Sequence, residues 1–170
     1  MSFWDIFKKS DDFYSSSSES RLQRKILDLM PKTNEDELIK MACLSGLLAR
    51  VAYVDFIIHE SELENLQNSL KRWTKLTQQE INAVSKIAIE EIKDLSGLEN
   101  HKYTRPLSEM LSIEDRYSIL VSLFSLSASD GSVSSRESEE IRVICKGLLL
   151  EHKHFISAQA TVKESLDSLK

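Results

Sequence analysis

Glycine and proline are scarce in this chain, at 4 and 2 among 170 residues. So few turn formers exclude a sandwich or barrel, whose many tight reversals consume both. Cysteine is as sparse. Cys43 and Cys145 lie far apart, each among apolar residues of an expected helix, so they make no disulfide framework and read as buried thiols of a cytosolic protein. No apolar run approaches the roughly 18–20 residues that a membrane span needs. Nor does the beginning of the sequence have the layout of a signal peptide, because Asp5, Lys8 and Lys9 interrupt its apolar residues. An excess of positive charge is missing too. The net charge of -5 argues against nucleic acid as the main partner, and the cytoplasm is the expected location.

What the chain does have is helical periodicity. The first 14 residues, MSFWDIFKKSDDFY, are set off by the serine run SSSSES, so residues 1–20 are expected to be an arm and link, with a single all-α domain over 21–170. On a helical arm Phe3, Trp4 and Phe7 would share one face, which makes weak contact with a membrane surface or docking on a partner one expectation, and a tail folded back onto the body or simply mobile the other. In the body, helices are expected over about 19–30, 33–54, 60–74, 77–95, within 98–111, from 112, over 135–150 and over 155–169. The second and sixth are apolar around most of their circumference, which places them at the centre of a compact bundle of seven to eight helices. Thr77-Gln-Gln-Glu80 is a capping box that starts the fourth.

An internal repeat organises these helices. VAYVDFIIHESELENL (51–66) aligns without a gap on LSASDGSVSSRESEEI (126–141), matching Asp55 with Asp130, Ile58 with Val133, Glu62 with Glu137 and Leu66 with Ile141. Each copy reads as a central helix ending at an Asp, a short loop, and an amphipathic helix with a Glu in its first turn. Two such helix-loop-helix units would bury their apolar faces on one another about a pseudo-two-fold axis, with the two loops near each other.

Asp130, Gly131 and Glu137 have the spacing of the second half of an EF-hand calcium loop. The first two ligand positions would fall on Leu126 and Ala128, or on Val51 and Tyr53 in the earlier copy, and without those oxygens an EF-hand is excluded. Glu137 suits a Ser134–Glu137 capping box, and Gly131 suits a left-handed helix stop. Asp130, at the negative end of a helix dipole, calls for compensation, either by backbone N–H groups or by a cation shared with Glu137. Phe56 stands where the second copy has Gly131, and since a left-handed Phe is costly, the first loop is expected to follow a different backbone path.

The pattern A-x-x-D-G-x-[IV]-x-x-x-E, occurring twice in helical context, resembles the tellurite-resistance TerB family, over roughly residues 35–160. The segment RPLSEMLSIEDRYSILVSLFSLSASDGSVSSRESEEIRVI carries most of the likeness. The resemblance implies an all-α fold with pseudo-two-fold symmetry and a divalent-cation site (Ca, Mg, Mn or Zn) at Asp130 and Glu137, with Asp55 and Glu62 as the counterparts. It also implies kinship with a domain of a membrane-bound co-chaperone. Fold family does not fix function, so a role in tellurite-type stress does not follow directly.

Two further clusters contain residues that could ligate a metal. His59, Glu60, Glu62 and Glu64 in HESELE could ligate a metal, but an acidic first turn is ordinary helix chemistry. His152 and His154 in EHKH lie near a helix end, where a favourable dipole contact is the plainer reading. No nucleophile with base and orienter, phosphate-binding glycine loop or zinc-spaced thiolate pair stands out. The expectation is a non-enzymatic interaction or scaffold module with a protein partner and at most a weak cation site. A membrane-associated module held by its arm is the alternative, and a metal-dependent hydrolase the last choice.

Overall fold

The computed structural model of the chain describes residues 17–94 and 100–168. The whole Phe/Trp arm, and the break expected at Ser96-Gly97, therefore lie outside the described residues. Among the described residues eight α-helices follow one another: α1 Ser17–Leu29, α2 Glu35–Ala52, α3 Glu60–Trp73, α4 Gln78–Asp94, α5 His101–Met110, α6 Ile113–Ser127, α7 Ser135–Gly147 and α8 His152–Asp167. A 3-10 turn, Ala128–Asp130, extends α6, and no strand occurs among the described residues.

Local chemistry sets most of these boundaries. Asn34 caps α2 by accepting from the Glu37 N–H at 3.0 Å, and Ser112 caps α6 by accepting from the Asp115 N–H at 3.1 Å. Acidic side chains fill the first turn of α2 and Arg50 its last, in keeping with the helix dipole. The Thr77–Glu80 box forms as read. The Glu80 carboxylate accepts from the Thr77 N–H at 2.7 Å, and these hydrogen bonds, the backbone one foremost, hold its pKa below the usual value. Pro106 sits inside α5, buried, and α5 runs through it. The cost is one missing N–H in a short helix that tertiary packing supports.

The centre is α2, buried from Leu38 to Ala52 at nearly every position, with α6 beside it. α3 packs on α6, and in exchange α7 packs on α2, the reciprocity a pseudo-two-fold axis requires. The repeat is longer than the sequence alignment suggests. α4 packs on α2 and α3 as α8 packs on α6 and α7, so that three helices correspond to three. The buried stripe Ile81, Val84, Ala88 of α4 has its counterpart in Phe155, Ala158, Val162 of α8, one residue closer in register than the α3/α7 match. That slip falls between the α3/α7 match and the α4/α8 match, where α7 is one residue shorter than α3.

α7 and α8 are displaced from the expected spans: α7 ends at Gly147 rather than 150, and α8 begins at His152 rather than 155. This corrects the reading of EHKH. His152 and His154 occupy the first turn of α8, not a helix C-terminus, and His154 Nδ1 accepts from the Glu151 N–H at 3.0 Å. His154 caps the helix and His152 stacks on the Phe155 ring, so neither complements a negative helix end.

α5 bridges the two halves, on α2 and α7. Its Tyr103 ring covers Gly46 of α2, and Thr104 lies against Gly147 of α7. Glu140 of α7 accepts from Arg50 Nε at 2.9 Å and from Asn100 Nδ2 at 2.6 Å, tying α2, α7 and the approach to α5. Across α2 and α4 lies α1, with Leu22 and Ile26 fully buried. Glu91 of α4, itself fully buried, pairs with Lys25 and, at 3.5 Å, with Arg21.

Candidate functional site

The α2–α3 and α6–α7 connections carry the residues singled out by the sequence, and their backbones match bond for bond. Phe56 N–H donates to Tyr53 O at 3.0 Å, and Gly131 N–H donates to Ala128 O at 2.9 Å. Asp55 Oδ1 accepts from the Ile57 N–H at 3.2 Å, and Asp130 Oδ1 from the Ser132 N–H at 3.1 Å. Glu62 Oε2 accepts from the His59 N–H at 2.8 Å, and Glu137 Oε2 from the Ser134 N–H at 2.6 Å. Each Asp therefore closes its loop onto the residue two ahead, and each Glu closes the start of the next helix. The dipole problem posed by Asp130 is met, at least in part, by that backbone N–H.

The first loop does not take a different path. Phe56 has φ 68 where Gly131 has φ 100, so the left-handed conformation is kept in spite of the side chain. Flanking hydrogen bonds and the Tyr53–Phe56 edge contact, with ring centroids 5.7 Å apart, offset part of the strain. Phe56 is 65% exposed, so glycine would lose little packing there. Phe56→Gly is accordingly expected to raise unfolding stability by about 0.5–1 kcal/mol, whereas Gly131→Ala, with open space around its new methyl, should lower it by about 1 kcal/mol through backbone strain alone. Urea denaturation of the two variants checks both signs.

The two loops lie close together. Ser129 Oγ donates to Ser61 Oγ at 3.2 Å, fastening the 3-10 turn to the start of α3. Glu62 is 5% exposed and Glu137 9%. Burial first, then the negative charges of Glu137 and Asp55, push the Glu62 pKa up against the opposing pull of the His59 N–H. No ion pair reaches Asp55, Glu62, Asp130 or Glu137 among the described residues. The internal repeat leads to the expectation that the two loops lie near each other; the burial that raises the Glu62 pKa has no local signal, because it depends on the packing of helices far apart in the chain.

A raised carboxylate pKa means that the folded state holds the Glu62 proton more tightly than the unfolded chain does. Glu62 thus favours folding at low pH and loses that contribution as pH rises from the unfolded toward the raised folded pKa. Glu62→Gln, which keeps the cap but not the charge, is expected to be at least as stable as the parent at pH 7. The gap should close as pH falls through the carboxylate range, and chemical denaturation of both chains at several pH values reads it directly.

The four carboxylates are suitable donors for a hard, oxygen-preferring cation, each with one oxygen engaged by a backbone N–H and the other available. Their arrangement is less suitable, because no group of three or more His, Cys, Asp or Glu side chains among the described residues is placed to hold a metal ion. His59 and Glu62 are used at the start of α3, and Glu60 and Glu64 lie exposed on its surface. Cys43 and Cys145 are both buried and not joined in a disulfide, and burial raises the Cys145 pKa, so neither offers a ready thiolate.

Three helices repeated about a pseudo-two-fold axis, with two acidic connections meeting at one end, define a helical domain of the tellurite-resistance kind. The family model described as tellurite resistance protein TerB matches residues 39–160, and the chain belongs to that family. Comparison with curated proteins and with solved structures gives no match. α1 lies outside the matched span, as does the end of α8. No helix among the described residues is long and apolar enough to cross a membrane.

Proposed function

We propose that this TerB domain is a non-catalytic, cytoplasmic scaffold whose paired acidic loops form the face that meets a protein partner. The observation that carries the reading is the meeting of the two loops through Ser129 and Ser61, with the buried carboxylates Glu62 and Glu137 set beside exposed Phe56 and Ile57. Buried repelling carboxylates cost stability, so a fold that keeps them gains if something positive completes the site. A basic side chain of the partner would do so, with Phe56 and Ile57 supplying apolar contact around it.

A divalent cation is the second source of positive charge. Asp130 and Glu137, with Asp55 and Glu62, would hold it through their free oxygens, as a weak site that keeps most of its water and steadies the two loops against each other.

Calorimetric titration of the EDTA-treated chain with Ca²⁺, Mg²⁺, Mn²⁺ and Zn²⁺, beside Asp130→Asn and Glu137→Gln, separates the two sources. Heat that disappears in both variants favours the cation. For the scaffold, a photo-crosslinking residue at position 57 in cells should give a discrete intermolecular adduct that Asp55→Lys with Asp130→Lys removes. An adduct pattern indifferent to the charge reversal would count against the acidic face as the contact.

A further inference from the structure

Exposed apolar side chains beside charges of opposite sign lie at opposite ends of α2 and α3. At one end Phe56 and Ile57 are 65% and 59% exposed, next to exposed Asp55 and Glu60. At the other end a groove of about 690 Å³ is lined in part by Leu29, Met30, Met41 and Leu76, and Lys32 and Lys75 stand on it, both exposed. None of these four charged residues forms an ion pair among the described residues. We propose that the loop tip of one chain docks into the groove of a second copy. Phe56 and Ile57 then lie against the groove's apolar lining, and Asp55 and Glu60 face Lys32 and Lys75. The inference rests on the reading of the acidic loops as a partner-binding face, and it names the partner.

Helix geometry keeps the two regions of one chain apart. α2 has 18 residues and α3 has 14, so they run about 27 Å and about 21 Å. The loop joins the end of α2 to the start of α3. The groove lies at their other ends, with Asn34 before the first turn of α2 and Thr74 after the last turn of α3 in its lining. A chain therefore cannot bring its own loop to its own groove, whereas a second copy can. Because the two surfaces differ, the contact is head-to-tail. Each docked pair still has one loop and one groove unoccupied, so growth continues beyond the dimer.

Complementarity is both apolar and electrostatic. Methionine side chains adjust to the shape of an inserted ring. The groove volume is within the roughly 300–1,000 Å³ of sites that enclose a small ligand, which is room for two large side chains. Glu37 and Glu80 also line the groove, but Glu37 is paired with Lys40 and Glu80 is held in the α4 cap. The lysines are its uncommitted charges, and they meet the acids at the loop tip. A loop tip in a groove buries less area than a standard interface, so the association is weak and sensitive to concentration and salt.

Sedimentation velocity of the full chain between micromolar and millimolar concentration tests this. It is run beside a loop variant (Phe56→Gly with Ile57→Ser) and a groove variant (Lys32→Glu with Lys75→Glu). The parent is expected to show a sedimentation coefficient that rises with concentration past the dimer value and falls back with added salt. Each variant alone should stay monomeric. An equal mixture of the two should form a dimer and nothing larger, because the intact groove of one meets the intact loop of the other. A parent that stays monomeric, or a mixture that does, overturns the proposal. So does a groove variant that dimerises alone, since loop would then be meeting loop. A crosslinking residue at position 57 separates this inference from the reading beneath it. An adduct of twice the chain mass supports the second copy. An adduct with a different protein, removed by charge reversal at Asp55 and Asp130, overturns the second copy and leaves the acidic face as a partner site.

Discussion

Gly46→Ala is expected to lower unfolding stability by about 2 kcal/mol, although alanine is the better helix former by about 1 kcal/mol. An added Cβ would stand 2.7 Å and 2.8 Å from two Tyr103 ring carbons, closer than carbon atoms approach without displacement. Tyr103 is fully buried at the α2–α5 crossing, so the ring has no open side to swing toward. α5 must then move off α2, loosening the bridge between the two halves. For a domain of this size the expected fall in Tm is roughly 4–8 °C. Gly147→Ala should act the same way on the other half, since its Cβ would meet Thr104 Oγ1 at 2.5 Å. Calorimetric melting of both variants decides the matter, and a Gly46→Ala protein as stable as the parent would mean that α5 is not held where the structure places it.

The second large effect is expected at α1. Replacing Arg21 and Lys25 together by Ala removes both cations that meet Glu91, a carboxylate with no exposed side-chain surface. Stripping the partners from a buried charge typically costs about 3–5 kcal/mol. Here the side chains of Arg21 and Lys25 are 41% and 43% exposed, so water already screens the pairs, and about 2–3 kcal/mol is the expected loss. Much of it should show as local opening, with α1 amides exchanging faster than those of α2. Glu91→Leu in the same background should recover most of the loss, because an apolar side chain of similar volume needs no counter-charge. Hydrogen exchange followed by mass spectrometry on the two variants distinguishes a pinned α1 from one held by Leu22 and Ile26 alone. If Glu91→Leu is as damaging as removing the cations, the ion-pair account is wrong.

Much of this architecture can be read residue by residue in the sequence. The caps at Asn34, Thr77, Ser112 and Ser134 involve bonds to groups at most three residues away, so the local string dictates them. The match of Asp55 with Asp130 and Glu62 with Glu137 is likewise written in order and spacing, and the structure gives both pairs the same hydrogen bonds. Phe56 misled for a physical reason. Intrinsic preference speaks against φ 68, but the Phe56 N–H to Tyr53 O bond and the Asp55 to Ile57 bond override it, and no propensity contains them. The α8 start misled similarly, because His154 as an acceptor for the Glu151 N–H has no strong sequence signal. The correspondence of α4 with α8 was hidden by the one-residue slip in register and by substitutions such as Ile81 for Phe155, which keep burial and discard identity.

Sequence alone determined that the chain is all-α, where most helices begin, and that it contains two copies of an Asp-loop-Glu unit. These follow from hydrogen bonds and apolar periodicity acting within a few residues. Only the tertiary structure decided how the two units meet, with Ser129 bonded to Ser61, and that burial, ahead of the charges of Glu137 and Asp55, raises the Glu62 pKa. It also decided that Glu91 is buried against α1, and that Phe56 and Ile57 stand exposed beside the acids. Burial and electrostatic coupling are properties of distance in space, and a linear sequence contains no distances until the helices have packed.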